Sequence, residues 1–381
     1  MRSALLLTVF VAFDHALLAR VGRPQHSVGF DFSLDYAVAS IHFSNHTFVD
    51  VATVQGGAEY RQAMRTFMST VANETKALPF LQSSHGFIQQ QLPAWLQPIV
   101  GEVCNHLPPS WFRDLHLTDT ARAFAPMLHT LKTAVESYLV MVDCLHTISI
   151  SLPRSISPQL HVSLQAAASS LSLSLLEPSL SRLPAGVHAA VGYGVAAKCR
   201  NFPTDDWDEA RLMLAIDYSR AALTATLIHE DMPLYRTLRT FHSETLGGAA
   251  LDRTCSSPDH IELDCTAGLR AALTNITQLP VLEDEDAKEM AFIQTIVIYG
   301  ESASDLRLNS VLRDVLSRGD DDDNDDGGHA MRFIVDGGQS SNPVSPLYAA
   351  ARGVAEVGWL VLDEPPPDGC NCNDFTRRRK C

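Results

Sequence analysis

The sequence predicts an α/β fold of two lobes, each with a central sheet and flanking helices, and a cleft between the lobes. The chain has 381 residues, which is too long for one compact core and suits two. Segments with the pattern of strands alternate with segments of helical periodicity along most of the chain. Each half also contains a similar unit, in which an apolar strand runs into an aspartate, turns and returns as a second strand. This repeated unit favours two lobes over one.

The first lobe is predicted to span residues 28–191. It opens with a hairpin over 28–41, which contains Asp31, and a third strand over 47–54 that ends at Gly56-Gly57. Apolar residues at helical spacing predict a helix over 59–71. The later elements are predicted as short helices within 79–109, longer helices over 118–141, 157–168 and 183–195, and strands over 146–152 and 171–176.

The second lobe is predicted to span residues 192–344, and a final helix from 345 to about 358 returns to the first lobe. The lobe opens with a strand pair over 211–228, which contains Asp217. An acidic run over 320–326 is typical of a solvated loop, and the tail over 364–381, rich in Pro, Cys and Arg, is expected to be loose. The other elements are predicted as an ambiguous helical stretch up to 278, helices over 284–290 and 304–317, and strands over 293–299 and 331–335.

Composition and charge exclude several classes of protein. An apolar fraction of 46% with 19% charged residues is that of a globular protein and not of a disordered one. A net charge of -15 argues against nucleic-acid binding, because a basic surface is needed to displace the counterions of the phosphates. No transmembrane segment is expected, because the apolar stretch near the N-terminus is too short to span a bilayer.

The N-terminus and the acceptor sequons favour the secretory pathway or an extracellular location. Residues 1–22 resemble a signal peptide, with Arg2 before an apolar stretch; the alternative is a buried first strand or helix in a cytoplasmic protein. Three sequons, at Asn45, Asn73 and Asn275, are acceptors for N-linked glycans and agree with a glycoprotein.

The cysteines are even in number, as expected for disulfides in an oxidising compartment. There are eight of them, and Cys255 with Cys265 is the most plausible local pair. A cluster of Cys370, Cys372 and Cys381 offers metal ligands as an alternative, although its spacing is not that of a usual zinc site.

The two strand–Asp–turn–strand units carry the chemistry. A tight hairpin can present the N–H groups of its turn to a phosphate, and glycine in the turn allows close approach. An aspartate at the strand end can hold the water shell of a metal ion or position an attacking water. The chain lacks both the Gly-x-Gly-x-x-Gly and the Walker signature, and it has no Gly-x-Ser-x-Gly elbow.

The order of further motifs adds a resemblance to a known family. Across residues 28–358 the chain resembles the nucleotide-binding domain of the heat shock protein 70 family, within the superfamily of actin, sugar kinases and heat-shock ATPases. No counterpart of the family's peptide-binding domain is expected in this sequence. The segments that carry the resemblance are 28–36, 128–139, 148–153, 176–178, 189–194, 217–222, 246–252, 296–302 and 342–351.

The resemblance implies an actin-like ATPase fold of two duplicated ribonuclease-H-like domains, with ATP or ADP and Mg²⁺ in the interlobe cleft. Asp31 and Asp217 match the residues that face the metal and support catalysis. The phosphates would be lined by Ser33, Asp35, Tyr36, Ser219 and Arg220, and the adenosine by Gly300, Glu301 and Ser302.

Both turns depart from the family pattern. Ser33-Leu34-Asp35 stands where the family has Gly-Thr-Thr, and residues 219–222 stand where it has three glycines and a threonine. Glu301 replaces a glycine, and Ser304 replaces the arginine that packs on adenine. Two hypotheses follow: a nucleotide-binding protein with weak ATPase activity at most, or a pseudo-ATPase that serves as a structural module or binds an unknown protein partner.

Overall fold

The computed structural model describes eleven segments of the chain. They are residues 25–74, 118–140, 145–154, 158–176, 183–196, 211–231, 234–256, 264–278, 293–317, 332–334 and 343–363. Several predicted features lie outside them: the signal peptide over 1–22, the helices within 79–109 and over 284–290, the acidic run over 320–326 and the tail over 364–381.

Five strands form the first sheet, in the order β3-β2-β1-β4-β5. The pairs β1–β2 and β2–β3 are antiparallel, whereas β1–β4 and β4–β5 are parallel. The predicted hairpin and third strand are confirmed, and the strand predicted over 171–176 is shorter than expected. The strands are β1 (His26–Phe32), β2 (Tyr36–Phe43), β3 (Phe48–Gln55), β4 (Thr147–Ser151) and β5 (Ser174–Leu175).

The second sheet repeats the order and the directions of the first. It runs β10-β9-β6-β7-β8, with β6–β7 and β7–β8 antiparallel and β6–β9 and β9–β10 parallel. The two mixed sheets are therefore related by the same topology, β1 corresponding to β6 and β4 to β9. The strands are β6 (Arg211–Tyr218), β7 (Leu223–Asp231), β8 (Leu234–Ser243), β9 (Thr295–Tyr299) and β10 (Arg332–Ile334).

Eight α-helices and two short 3₁₀ turns complete the described segments. The capped helix predicted from Thr118 is confirmed, because the Thr118 hydroxyl accepts a hydrogen bond from the Ala121 N–H at 3.1 Å. The helices are α1 (Ala58–Glu74), α2 (Asp119–Leu139), α3 (Pro158–Ser170), α4 (Ala185–Gly192), α5 (Gly248–Ser256), α6 (Ala267–Thr277), α7 (Leu306–Ser317) and α8 (Ala349–Asp363), with 3₁₀ turns at Glu244–Leu246 and Pro346–Tyr348.

Besides the short strand β5, two further elements differ from the sequence prediction. Strand β8 was not predicted; it is the edge strand of its sheet, and its charged, half-exposed residues lack the apolar alternation of a buried strand. Helix α8 continues to Asp363 and so is longer than predicted, because Trp359 is buried and the apolar residues 360–362 after it remain partly buried. Within the described segments, no helix is both long and apolar enough to cross a membrane.

Two helices lie between the sheets. Helix α8 packs on β1, β2 and β4, helix α4 packs on β6 and β9, and the two helices pack on each other. The buried side chains of α4 form one apolar cluster with Met213 and Ala215 of β6 and with Ala349 and Ala350 of α8. The layers therefore follow the order first sheet, α8, α4, second sheet.

Glycines bring the backbones of α4 and α8 into direct contact. A Cβ atom at Gly353 would overlap the carbonyl oxygen of His188, and one at Gly192 would overlap the carbonyl oxygen of Ala349. On the outer side of α8, a Cβ atom at Gly29 of β1 would overlap the carbonyl oxygen of Ala351. Only residues without a side chain allow layers to approach this closely.

We expect Gly353→Ala to destabilise the protein although it lies in a helix. Helix propensity alone favours alanine by about 1 kcal/mol, whereas overlap with backbone atoms costs about 1–3 kcal/mol. Urea denaturation should therefore give a lower free energy of unfolding than the native chain. Gly268→Ala in α6 is the control, because only the tip of Leu246 lies near its new Cβ. Equal stability of the two variants would contradict backbone contact at Gly353.

Candidate functional site

Two aspartates occupy matching positions in the repeated sheets. Asp31 is the penultimate residue of β1 and is paired in register with Val38 of β2 and Ser151 of β4. Asp217 is the penultimate residue of β6 and is paired in register with Thr224 of β7 and Tyr299 of β9. The shared topology thus places one carboxyl group at the end of the central strand of each sheet.

The structure brings these two strand ends together. The Ser33 hydroxyl donates a hydrogen bond to Asp217 Oδ2 at 3.3 Å, so the turn after β1 contacts the end of β6. Asp31 is 4% exposed and Asp217 is 6% exposed. Among the described residues, Oδ1 of neither aspartate has a hydrogen-bond partner. Buried polar oxygens usually have one, so these two atoms mark a site that can take a ligand.

Burial makes both carboxyl groups hard to ionise. It raises the pKa of Asp31 to about 7, and the Ser151 hydroxyl offsets part of this effect. Burial also raises the pKa of Asp217 well above its usual value; the negative charge of Asp31 raises it further, while the Ser33 hydroxyl lowers it. Like charges at close range in a buried site favour a bound cation or a retained proton.

The first turn is held by hydrogen bonds on the side of its own sheet. The Ser33 N–H donates to the Tyr36 carbonyl at 2.9 Å, and the Tyr60 hydroxyl of α1 donates to the Ser33 carbonyl at 2.5 Å. Leu34 is buried in the apolar core of the first sheet, and Ala222 of the second turn belongs to the same cluster. Apolar side chains from both turns therefore pack where the resemblance predicts phosphates.

Tyr36 is a core residue that also borders the two carboxyl groups. Its ring is buried in a small cluster with Val38 and Ala351. Burial raises the pKa of Tyr36 well above its usual value, and the charges of Asp217 and Asp31 raise it further. The hydroxyl therefore stays protonated, as a hydrogen-bond donor or acceptor beside the carboxyl pair.

Asp35 lies among charges from both halves of the chain. Burial raises the pKa of Asp35, the charge of Glu301 raises it further, and the charges of Arg61 and Arg220 lower it. The predicted site residues Asp35, Arg220 and Glu301 are thus within electrostatic range of one another. Arg61 of α1, which the sequence did not single out, supplies a second positive charge.

The second turn uses its own hydroxyl to bind its N–H groups. The Ser219 Oγ accepts from the Ala221 N–H at 3.2 Å and from the Ala222 N–H at 3.1 Å. These are the amides that a phosphate would meet in a hairpin of this kind. Because the buried Ser219 hydroxyl already accepts hydrogen bonds from these two amides, it would block a phosphate from reaching them. The side chain of Arg220, which follows Ser219, is exposed.

The segment after β9 approaches Asp217 through a glycine. Gly300 has a φ of 103°, and a Cβ atom there would lie 2.6 Å from Asp217 Oδ1. The Ser302 N–H donates to the Tyr218 carbonyl at 2.9 Å, and Glu301 between them is exposed. Every residue predicted for the site is therefore within the two turns, the strand ends beside them or this segment.

Sequence reasoning missed Ser151, Tyr299 and Tyr60 as members of the site. Ser151 and Tyr299 were assigned to strands but not to the site, although the ends of parallel strands meet at one edge of a sheet. Tyr60 was assigned to the core face of a helix, and its hydroxyl, bonded to the first turn, gave no signal in the sequence. The parallel pairs β1–β4 and β6–β9 were the usable clue.

The two carboxyl groups could hold a cation that keeps most of its water ligands. In the described segments no group of three or more His, Cys, Asp or Glu side chains is placed to ligate a metal ion directly. Two carboxyl groups with free oxygens suit Mg²⁺, which is usually bound by one or two carboxylates and keeps several waters. The cysteine cluster at 370, 372 and 381 lies outside the described segments.

The comparisons with protein families and with curated proteins add no relative. No protein-family model matches the chain, and a search of the curated proteins finds no match either. The resemblance to heat shock protein 70 therefore depends on the motifs of the sequence alone.

We expect folding stability to fall as the pH rises, because of Asp31. Its pKa is about 7 in the folded chain and 3.8 for an ordinary aspartate. Between these values the folded state holds a proton that the unfolded state has lost, so stability is full at low pH and declines towards pH 7. In the Asp31→Asn variant, the free energy of unfolding should fall less steeply with pH than in the native chain, by roughly 1 kcal/mol per pH unit.

Urea denaturation between about pH 4 and pH 8 measures this effect. Asp119→Asn, which removes an exposed carboxylate, controls for the loss of any acid. If the free energy of unfolding of the Asp31→Asn variant fell with pH as steeply as that of the native chain, Asp31 would ionise as it does in water, and the prediction would be wrong.

Proposed function

We propose that the chain is a nucleotide-binding protein of the heat-shock-70-like, actin-like ATPase type, with weak ATPase activity at most. ATP or ADP with Mg²⁺ would bind in a cleft between the two sheets. Asp31 and Asp217 would face the metal through water. The phosphates would lie against Ser33, Asp35, Tyr36, Ser219 and Arg220, and the adenosine against Gly300, Glu301 and Ser302.

One observation carries this proposal: Asp31 and Asp217 end the central strands of two sheets of identical topology, are buried within electrostatic range of each other, and each keep a buried oxygen without a hydrogen bond among the described residues. A duplicated fold that only needed to be stable would place apolar groups there, because two buried acids with raised pKa values destabilise folding at neutral pH. A bound cation removes this penalty and explains why both acids are present.

The residues around the pair fit a nucleotide better than a free cation. Mg²⁺ would spread the negative charge of the phosphates and allow both aspartates to ionise. Arg220 and Arg61 lie close enough to Asp35 to lower its pKa and carry positive charge at the mouth of the site. Asp31 and Asp217 would orient water around the metal, and Tyr36 and Tyr299, both buried, would limit access of other water.

A specific observation favours the second hypothesis, a pseudo-ATPase that acts as a structural or protein-interaction module. The N–H groups of Ala221 and Ala222 already bond to the Ser219 hydroxyl, and Leu34 packs in an apolar cluster with Ala222. Nucleotide binding would have to break these contacts. Hydrolysis, which needs tighter phosphate placement than binding does, is therefore expected to be weak.

We also propose that the protein belongs to the secretory pathway or the extracellular space. The predicted pairing of Cys255 with Cys265 is confirmed as a disulfide, with 5.2 Å between the Cα atoms. Disulfides are frequent in oxidising compartments and rare in the cytosol.

Calorimetric titration of Mg-ATP and Mg-ADP into the purified protein tests nucleotide binding. We expect saturable heat that is lost in an Asp31→Asn plus Asp217→Asn variant. The variant should still fold, since each substitution replaces a buried, easily protonated acid by a neutral group of the same shape. Its melting temperature, measured alongside, verifies this.

Asp119→Asn is the matched control and should bind as the native chain does. Absence of heat and of any thermal shift at millimolar nucleotide would overturn nucleotide binding and leave the pseudo-ATPase. Heat that survives in the double variant would place the nucleotide elsewhere.

A further inference from the structure

The turn between β2 and β3 lies at the opposite end of β2 from the candidate site. Residues 44–47 form this turn, and all of them are exposed. Two backbone hydrogen bonds close it, from Phe43 N–H to the Thr47 carbonyl and from His46 N–H to the Phe43 carbonyl, both at 2.9 Å. The turn contains Asn45-His46-Thr47, one of the three sequons of the chain.

The two side-chain hydrogen bonds that shape the turn use only the amide oxygen of Asn45, and not its amide nitrogen. Asn45 Oδ1 accepts from the Thr47 N–H at 3.1 Å and from the Thr47 hydroxyl at 2.6 Å. An N-linked sugar is attached to Nδ2, and the amide keeps its carbonyl oxygen after attachment. The turn can therefore carry a glycan without losing either bond.

We propose that Asn45 is an N-glycosylation site, modified by an oligosaccharide from a lipid-linked pyrophosphate donor in the secretory pathway. In the transfer, the bond from sugar C1 to the pyrophosphate oxygen breaks and a bond from C1 to Asn45 Nδ2 forms. The lipid pyrophosphate leaves, and Nδ2 loses one proton. The modification rests on the secretory location proposed above and is independent of nucleotide binding.

Of the other two sequons, the one at Asn275 lacks this arrangement and the one at Asn73 lies only partly within the described segments. Asn275 lies within α6, where the Thr277 hydroxyl donates to the Leu273 carbonyl at 2.8 Å and not to the asparagine. Ile276 between them is 4% exposed and belongs to the core of the second sheet. Asn73 lies in the last turn of α1, and its Thr75 is outside the described segments. Only the Asn45 sequon combines a fully exposed turn with a bond between asparagine and threonine in the described structure.

A glycan at Asn45 also suits the neighbouring strand. Strand β3 follows the turn directly and is the edge strand of the first sheet. Open edges can pair with other chains, and bulky polar groups at an edge reduce this risk. The sugar would therefore shield the end of this strand, which is an edge strand among the described ones.

Expression of the full chain in a eukaryotic secretory host tests the proposal. Protein is digested with an amidase that removes N-glycans in heavy-oxygen water, and the peptide with Asn45 is analysed by mass spectrometry. We expect heavy-oxygen aspartate at position 45 in most molecules, and one glycan fewer on a gel for Asn45→Asp. That variant keeps an oxygen for both turn bonds, so it should fold and be secreted.

Thr47→Ser keeps a hydroxyl and should retain the glycan, whereas Thr47→Ala should lose it. An unmodified Asn45 peptide, from secreted or from retained protein, overturns the proposal. Equal gel mobility of the native chain and the Asn45→Asp variant would do so as well. Neither result bears on calorimetry of the cleft, which decides nucleotide binding separately.

Discussion

Backbone contact between α4 and α8 sets the distance between the two sheets, and the candidate site depends on that distance. Gly192 and Gly353 let the helices meet without intervening side chains, and Gly29 lets β1 lie equally close to α8. Larger residues would move the sheets apart by the thickness of a side chain. Ser33 would then no longer reach Asp217, and the two turns would not share an apolar cluster.

This close approach creates an electrostatic problem that a ligand can solve. Two aspartates, each at the end of a central strand, are buried near one another; burial raises the pKa of both, and the charge of Asp31 raises that of Asp217 further. Proteins tolerate such groups at functional sites because the free energy gained on binding offsets the loss of stability. The hydrogen bonds of Ser219 and the packing of Leu34 with Ala222 have the opposite effect, because they stabilise the protein without a ligand and weaken binding.

The fold could be predicted from the sequence wherever a pattern was local. The hairpin around Asp31 and the helix capped by Thr118 follow from apolar spacing and from a capping side chain. The repeated aspartates indicated the site, but its depth could not be predicted, because Asp31 and Asp217 are buried where segments far apart in the sequence come together. Strand β8 was missed because edge strands carry polar residues on both faces.

The two turns that depart from the family pattern also show that contacts in the folded chain could not be predicted from local sequence. The sequence predicted that Ser219 would line the phosphates, whereas its hydroxyl binds the amides of its own turn, an interaction that composition does not reveal. Similarly, the sequence showed that Leu34 departs from the family pattern, but its place in the core depends on packing with α1 and α2, which only the folded chain specifies.

The most direct test is anomalous X-ray scattering from crystals grown with Mn²⁺ and ADP. Manganese replaces magnesium in such sites and is located by its own signal. We predict one manganese peak between the carboxyl groups of Asp31 and Asp217, with the phosphates of ADP beside the two turns. Crystals in which the cleft holds neither ion nor nucleotide, with Ser33 still bonded to Asp217, would contradict it.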